Sequence, residues 1–262
     1  MSRGPADLPD PPPACPPPPY VAAYVRRLMG MPVSIHLRGP DPRSPRAVEA
    51  VGKAYDELAR AEEIFSRWQP HSELSRLRRG ELTLTACGPQ MREVAALCAH
   101  YQQVTGGSFT AVLPDETTGE PSYDPTGLVK GWAVARAAGH LAAVGGHAYC
   151  LNAGGDLLVG GIDESPGGGR PWRLGIDDPD IPGRVAGVVE LHAGALATSG
   201  CSARGAHLVD PATGRRERRR GSVSVIAPDI VEADAWATAL FVGPAGLETS
   251  FLATPDRQVI RY

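Results

Sequence analysis

The chain has 262 residues, a net charge of −3, 31 Gly and 26 Pro. That charge gives no whole-chain electrostatic reason to bind nucleic acid. No apolar run approaches the roughly 18 residues of a membrane span, so stable membrane insertion is not expected either. The five cysteines, Cys15, Cys87, Cys98, Cys150 and Cys201, are odd in number and scattered, with no CxxC pair. They read as reduced thiols of a cytoplasmic protein, neither a disulfide framework nor a zinc site.

Nine of the 26 prolines fall in residues 1–20. This segment lacks the apolar stretch of a signal peptide, and its proline runs predict an extended, disordered tail. One domain is expected over residues 21–262. Arg26–Leu37 reads as a strand broken at Gly30. Ser44-Pro45 supplies an N-cap followed by proline at the first helical position, and Val51, Tyr55, Leu58 and Phe65 carry a helical stripe to about Trp68. Gln69–Gly80 is a polar segment. A second helix spans Pro89–Val104 and stops at Gly106-Gly107, and a third runs from about Lys130 to Val144. The chain then turns β-rich, with strands at His147–Asn152, Leu157–Gly160, Trp172–Ile176, Val185–Leu191, Leu196–Ser199 and Ser222–Ala227. Helices at Val231–Val242 and Leu247–Leu252 and a strand at Gln258–Tyr262 close the sequence. Helices and strands mix without regular βαβ alternation. The pattern predicts an α+β fold with mixed, largely antiparallel sheets.

Several groups of residues carry chemistry. Asp234 and Thr238 in VEADAWATALFV share one helical face. A carboxylate with a hydroxyl suits a hard cation such as Mg²⁺, although an Asp in a first helical turn is also favoured by the helix dipole. YDPTGLVKGW (123–132) is a turn leading into a helix, where backbone N–H groups attract phosphate. Lys130, one of only two lysines in the chain, adds a point charge there; a plain turn and cap is the alternative. HLVDPATG (207–214) holds His207, a residue type poised for proton transfer near neutral pH, or a structural histidine. The arginine run RRERRR (215–220) has no aromatic interleaving and reads as a solvated loop. Trp68 either stacks on a planar ring or caps the core.

The order of the segments MGMPVSIHL, FSRWQPHSELSRL, TGGSF, DPTGLVKGWAV, NAGGDLLVGG, ALATSG, HLVDPATG and SVSVIAPDIVEADAWATALFVG resembles the FAD:protein FMN transferases, the ApbE-like flavin transferases, from about Leu28 to Gly243. The resemblance implies an α+β fold of two interleaved subdomains with the site between them. It implies a Mg²⁺-dependent enzyme that cleaves FAD, joins FMN by a phosphoester to a threonine of an acceptor flavoprotein, and releases AMP. Mg²⁺ then falls to Asp234, Thr238 and the Gly127 carbonyl, and His207 is the base. Met29, Trp68, Ser108, Phe109, Thr110, Asp124, Lys130 and Leu208 match flavin- and nucleotide-contacting positions. The sequence departs from the pattern at Thr110, where the family usually has Asp, and at Arg78, where it usually has Asn. Cys201-Ser202 replace an aromatic after ATSG. An FAD pyrophosphatase using water, or a non-catalytic FAD carrier, are the other readings.

Overall fold

The computed structural model describes residues 20–115, 117–200, 208–211, 213–217 and 219–262. The proline-rich segment, Cys201, Ser202 and His207 therefore lie outside the described residues. The chain opens with strands β1 (Val21–Leu28) and β2 (Met31–Arg38). The single strand expected around Gly30 is instead a hairpin, with Leu28 opposite Met31. Met29 and Gly30 both have positive φ (52° and 72°). This is the two-residue turn whose twist matches a right-twisted ladder. The Met29 N–H donates to Glu62 Oε2 at 2.9 Å, which ties the turn to the next element.

Helix α1 (Pro45–Phe65) starts at Ser44, whose side chain accepts the Ala47 N–H. Its buried face carries Val51, Tyr55, Leu58 and Phe65, as the periodicity predicts. The polar segment after it is not a loop throughout. It contains helix α2 (Glu73–Arg78), capped by Ser72 and anchored by buried Leu74. Helix α3 (Pro89–Val104) follows, and then a short hairpin of β3 (Val112–Pro114) and β4 (Pro121–Tyr123). Helix α4 (Thr126–Ala142) begins four residues before the expected Lys130. The cause is local: Asp124 Oδ1 accepts both the N–H (3.1 Å) and the hydroxyl (2.6 Å) of Thr126. That fixes the first turn directly behind Pro125 despite Gly127.

Strands β5 (Ala148–Ala153), β6 (Asp156–Gly161), β7 (Trp172–Asp177), β8 (Val185–Leu191) and β9 (Gly194–Gly200) come next. Two short strands, β10 (Val209–Asp210) and β11 (Arg215–Arg216), pair with each other, so part of the arginine run is a hairpin arm. The chain closes with β12 (Ser222–Ala227), helices α5 (Ile230–Val242) and α6 (Leu247–Leu252), and β13 (Gln258–Arg261).

Seven strands form one sheet in the order β1-β2-β5-β6-β9-β12-β13. Every pairing in it is antiparallel. Strands from the two ends of the chain are thus its two edges. Strand alternation builds two hydrophobic layers. Tyr149, Leu151, Ala195, Ala197, Val223 and Val225 face the layer shared with α1, α4 and α5. Their neighbours Ala148, Cys150, Leu196 and Ile226 face the other side, where they meet Trp172, Leu174 and Ile176 of the separate β7–β8 hairpin. The fold is α+β, as the sequence predicts, with helices on one face of the sheet and a hairpin on the other.

Candidate functional site

A cleft of about 1080 Å³ opens among the described residues. Its wall takes in Ser108, Phe109, Thr110, Asp124, Gly127, Lys130, Leu208, Asp234 and Thr238. Nine of the twelve candidate positions therefore come together from segments far apart in sequence. Met29 and Trp68 are not part of this wall. Met29 sits half-buried in the β1–β2 turn. Trp68 is 84% exposed, with the Arg67 guanidinium 5.8 Å from its ring centroid. It does not cap the core. The twelfth, His207, lies outside the described residues.

The chemistry concentrates where α4 crosses α5. Asp234 is in the first turns of α5 and is 4% exposed. Its Oδ2 accepts the Gly131 N–H at 3.1 Å, and its Oδ1 lies 3.4 Å from Lys130 Nζ. Lys130 also pairs with Asp156, which is 1% exposed and accepts the Thr198 N–H on its other oxygen at 3.1 Å. One ammonium thus faces two buried carboxylates. Burial pushes the Asp234 carboxyl above the usual carboxylate range, and Lys130 opposes this while Asp156 adds to it. A site with this excess of negative charge favours a further cation.

The oxygens nearby fit a hard one. Thr238 lies one helical turn beyond Asp234, and its Oγ1 is 3.2 Å from Ser199 Oγ. In a regular helix the Gly127 carbonyl takes the Gly131 N–H, but that N–H is directed at Asp234, so the Gly127 oxygen does not have its helical donor to itself. Among the described residues no group of three His, Cys, Asp or Glu is placed to hold a metal. One carboxylate with neutral oxygens is the sparse donor set that suits Mg²⁺, which keeps positions for water and phosphate.

The crossing depends on a glycine. A Cβ at Gly131 would stand 3.0 Å from the Ile230 carbonyl oxygen and 3.2 Å from both Cβ and Oδ2 of Asp234. Only a bare Cα lets the backbone amide reach the carboxylate. Neither Gly131 nor Asp156 was among the expected site residues. The Asp of NAGGD was the available signal for Asp156, and the Gly after Lys130 for Gly131.

A second cluster lies at the start of α4. Asp124, 7% exposed, is 2.9 Å from the Arg67 guanidinium and 3.8 Å from that of Arg78. Arg78 also binds Asp115 at 2.7 Å. Arg78 therefore links the β3–β4 hairpin to the start of α4. Thr110 lines the cleft and its hydroxyl accepts the Val112 N–H at 3.1 Å.

Comparison with known proteins follows this geometry. The FAD:protein FMN transferase of Escherichia coli strain K12 is 40% identical over 123 residues, covering 41% of this chain and 34% of that protein. The one from Rhodobacter capsulatus is 37% identical over 158 residues, covering 57% and 29%. The match thus spans about a third of the length of these curated relatives. The flavin transferase ApbE from Vibrio cholerae superposes with a TM-score of 0.74 at 21% identity, over 94% of this chain and 97% of that one. The ApbE protein from Thermotoga maritima gives 0.73 at 22%, over 92% and 94%. At these identities the superpositions show a shared fold. The ApbE family model matches residues 29–115 and 116–259, and the chain belongs to the ApbE family.

Proposed function

We infer that the chain is a Mg²⁺-dependent FAD:protein FMN transferase. The observation that carries this is half-buried Lys130, which lines one cleft with Asp234, Thr238 and Gly127 and pairs with Asp234 and with buried Asp156 behind it. Family membership, and relatives named FAD:protein FMN transferase, support the same reaction class.

Phosphoryl transfer asks a protein mainly for positioning and charge neutralisation. Asp234, Thr238 and the Gly127 carbonyl would hold Mg²⁺, which when bound acts as a Lewis acid on pyrophosphate oxygens. Lys130 lies between its two carboxylates and lines the cleft. Asp156 fixes its ammonium, and the Gly131 N–H fixes Asp234. The hydroxyl oxygen of an acceptor threonine bonds to the FMN phosphorus, the bond from that phosphorus to the AMP oxygen breaks, and the hydroxyl proton passes to a base. His207 is proposed as that base from its place in HLVDPATG. Ser108, Phe109, Thr110, Asp124 and Leu208 are proposed to contact FAD from the cleft wall, and Met29 and Trp68 from beyond it, with Trp68 stacking on a ring. A cytoplasmic location belongs to the same proposal, since Cys87, Cys98 and Cys150 are all free, buried thiols.

The test is incubation with FAD and Mg²⁺, with and without a flavoprotein subunit bearing a candidate threonine, read by mass spectrometry. The expected result is an acceptor heavier by one FMN and stoichiometric AMP. Free FMN and AMP regardless of acceptor would instead identify a pyrophosphatase, and bound but uncleaved FAD a carrier.

A further inference from the structure

We propose that the acceptor protein binds by adding an extended segment, carrying its threonine, to the open edge of β7. This rests on the transferase reading above and names how its protein substrate is held. Strand β7 belongs to a two-stranded sheet and pairs only with β8 among the described residues. No backbone hydrogen bond from another described element reaches it. Its buried side chains, Trp172, Leu174 and Ile176, alternate with exposed ones and seat the hairpin on the large sheet. A strand viewed on its face presents every second residue to a cavity. Here all seven consecutive residues from Trp172 to Asp178 line the cleft. The cleft therefore meets this strand along its edge, where one alternate set of N–H and C=O groups points away from β8.

An unpaired edge is a ready template for another chain, and extended peptides are commonly recognised this way. One further fact selects the acceptor as occupant. The same cleft contains Lys130, Asp234 and Thr238, so a segment on this edge shares one cavity with the proposed reacting centre. From Trp172 to Asp178 the edge runs roughly 20 Å at about 3.3 Å per residue, enough for a segment of six or seven residues. Main-chain pairing would hold acceptors of differing sequence, because the contacts are to backbone.

The test uses the intact enzyme and synthetic peptides centred on the threonine of an acceptor subunit modified in the mass-spectrometry experiment above. Two peptide sets carry N-methyl groups on alternate amides, one set for each parity. Strand addition predicts that one parity raises KM for the peptide by about tenfold or more per pair of lost hydrogen bonds, while the other parity is accepted like the parent. With a Thr→Val peptide, which binds but cannot react, alternate β7 amides should exchange hydrogen more slowly. Equal tolerance of both parities overturns the proposal. So does a peptide left unmodified while the intact subunit is flavinylated, or protection of β7 that depends on enzyme concentration without peptide, which would mark a second copy on that edge. If neither peptide nor intact subunit is modified although FAD is bound, it is the transferase reading that fails.

Discussion

Gly131→Ala offers a case in which two well-known effects have opposite signs. In an exposed helix the change is stabilising by about 1 kcal/mol, because alanine is the better helix former. At Gly131 the new methyl would meet a backbone oxygen at 3.0 Å and two atoms of Asp234 at 3.2 Å. The oxygen belongs to Ile230 at the start of α5 and cannot rotate aside, so α4 and α5 must separate by a few tenths of an ångström. Overpacking of this kind costs about 1–3 kcal/mol, and stretching the Gly131-to-Asp234 hydrogen bond costs up to about 1 kcal/mol more. The overpacking outweighs the propensity gain, leaving a net loss of about 0–3 kcal/mol. For a domain of this size each kcal/mol corresponds to about 2–4 °C in Tm. Scanning calorimetry should therefore show a lowered Tm, and titration with Mg²⁺ in the presence of FAD should show weakened binding, because Asp234 moves with α5. A Tm raised by the few degrees that propensity alone would give, with Mg²⁺ response intact, would refute the claim that a bare Cα is required at the crossing.

Asp234→Asn keeps an oxygen for the Gly131 N–H but removes a ligand charge. Its metal-free Tm should match or exceed wild type, while Mg²⁺-dependent FAD cleavage is lost; retained turnover would dismiss the metal assignment. Lys130→Met leaves Asp156 and Asp234 facing each other without a cation, and should lower stability by about 3–5 kcal/mol, with partial recovery in Mg²⁺; denaturant titration checks both. Trp68→Ala should leave Tm unchanged, since the side chain is 84% exposed, yet weaken FAD binding by about 1–3 kcal/mol if a ring stacks there; fluorescence titration decides. Burial pushes the thiols of Cys98 and Cys150 up to about 12. Almost no thiolate exists at pH 8, so peptide mapping after iodoacetamide should find both unmodified until the protein is unfolded.

Much of the fold is legible in the sequence where the signal is local. Ser44-Pro45 and the Val51–Phe65 stripe announce α1, and Pro89 and Gly106-Gly107 bracket α3. Where the outcome turns on competition between neighbours, the reading shifts. Gly30 reads as a break within one strand because Met29, a residue that rarely takes positive φ, gives no turn signal of its own. Helix α2 has only Leu74 and Leu77 on its apolar side, too short a run to stand out from a polar segment. The cap of α4 acts through Asp124 side-chain bonds that outweigh the glycine at position 127. The site behaves alike. Asp234 and Thr238 are visible as an i, i+4 pair, whereas Asp156 and Gly131 matter only because two helices cross and a β-turn delivers a carboxylate beneath them. No pattern along one segment encodes that meeting.

The strand order also has a consequence for biosynthesis. Strand β12 lies between β9 and β13, and α5 follows it directly, so the segment that brings Asp234 and Thr238 joins a sheet in which every other strand but β13 has already been made. The sheet edge formed by β13 comes only in the last residues of the chain. A ribosome-bound chain that has emerged only as far as β9 can pair β1, β2, β5, β6 and β9, yet it lacks the Asp234–Thr238 pair. The proposed metal pair thus waits for the C-terminal quarter of the chain, and a nascent or prematurely terminated product has the sheet without it.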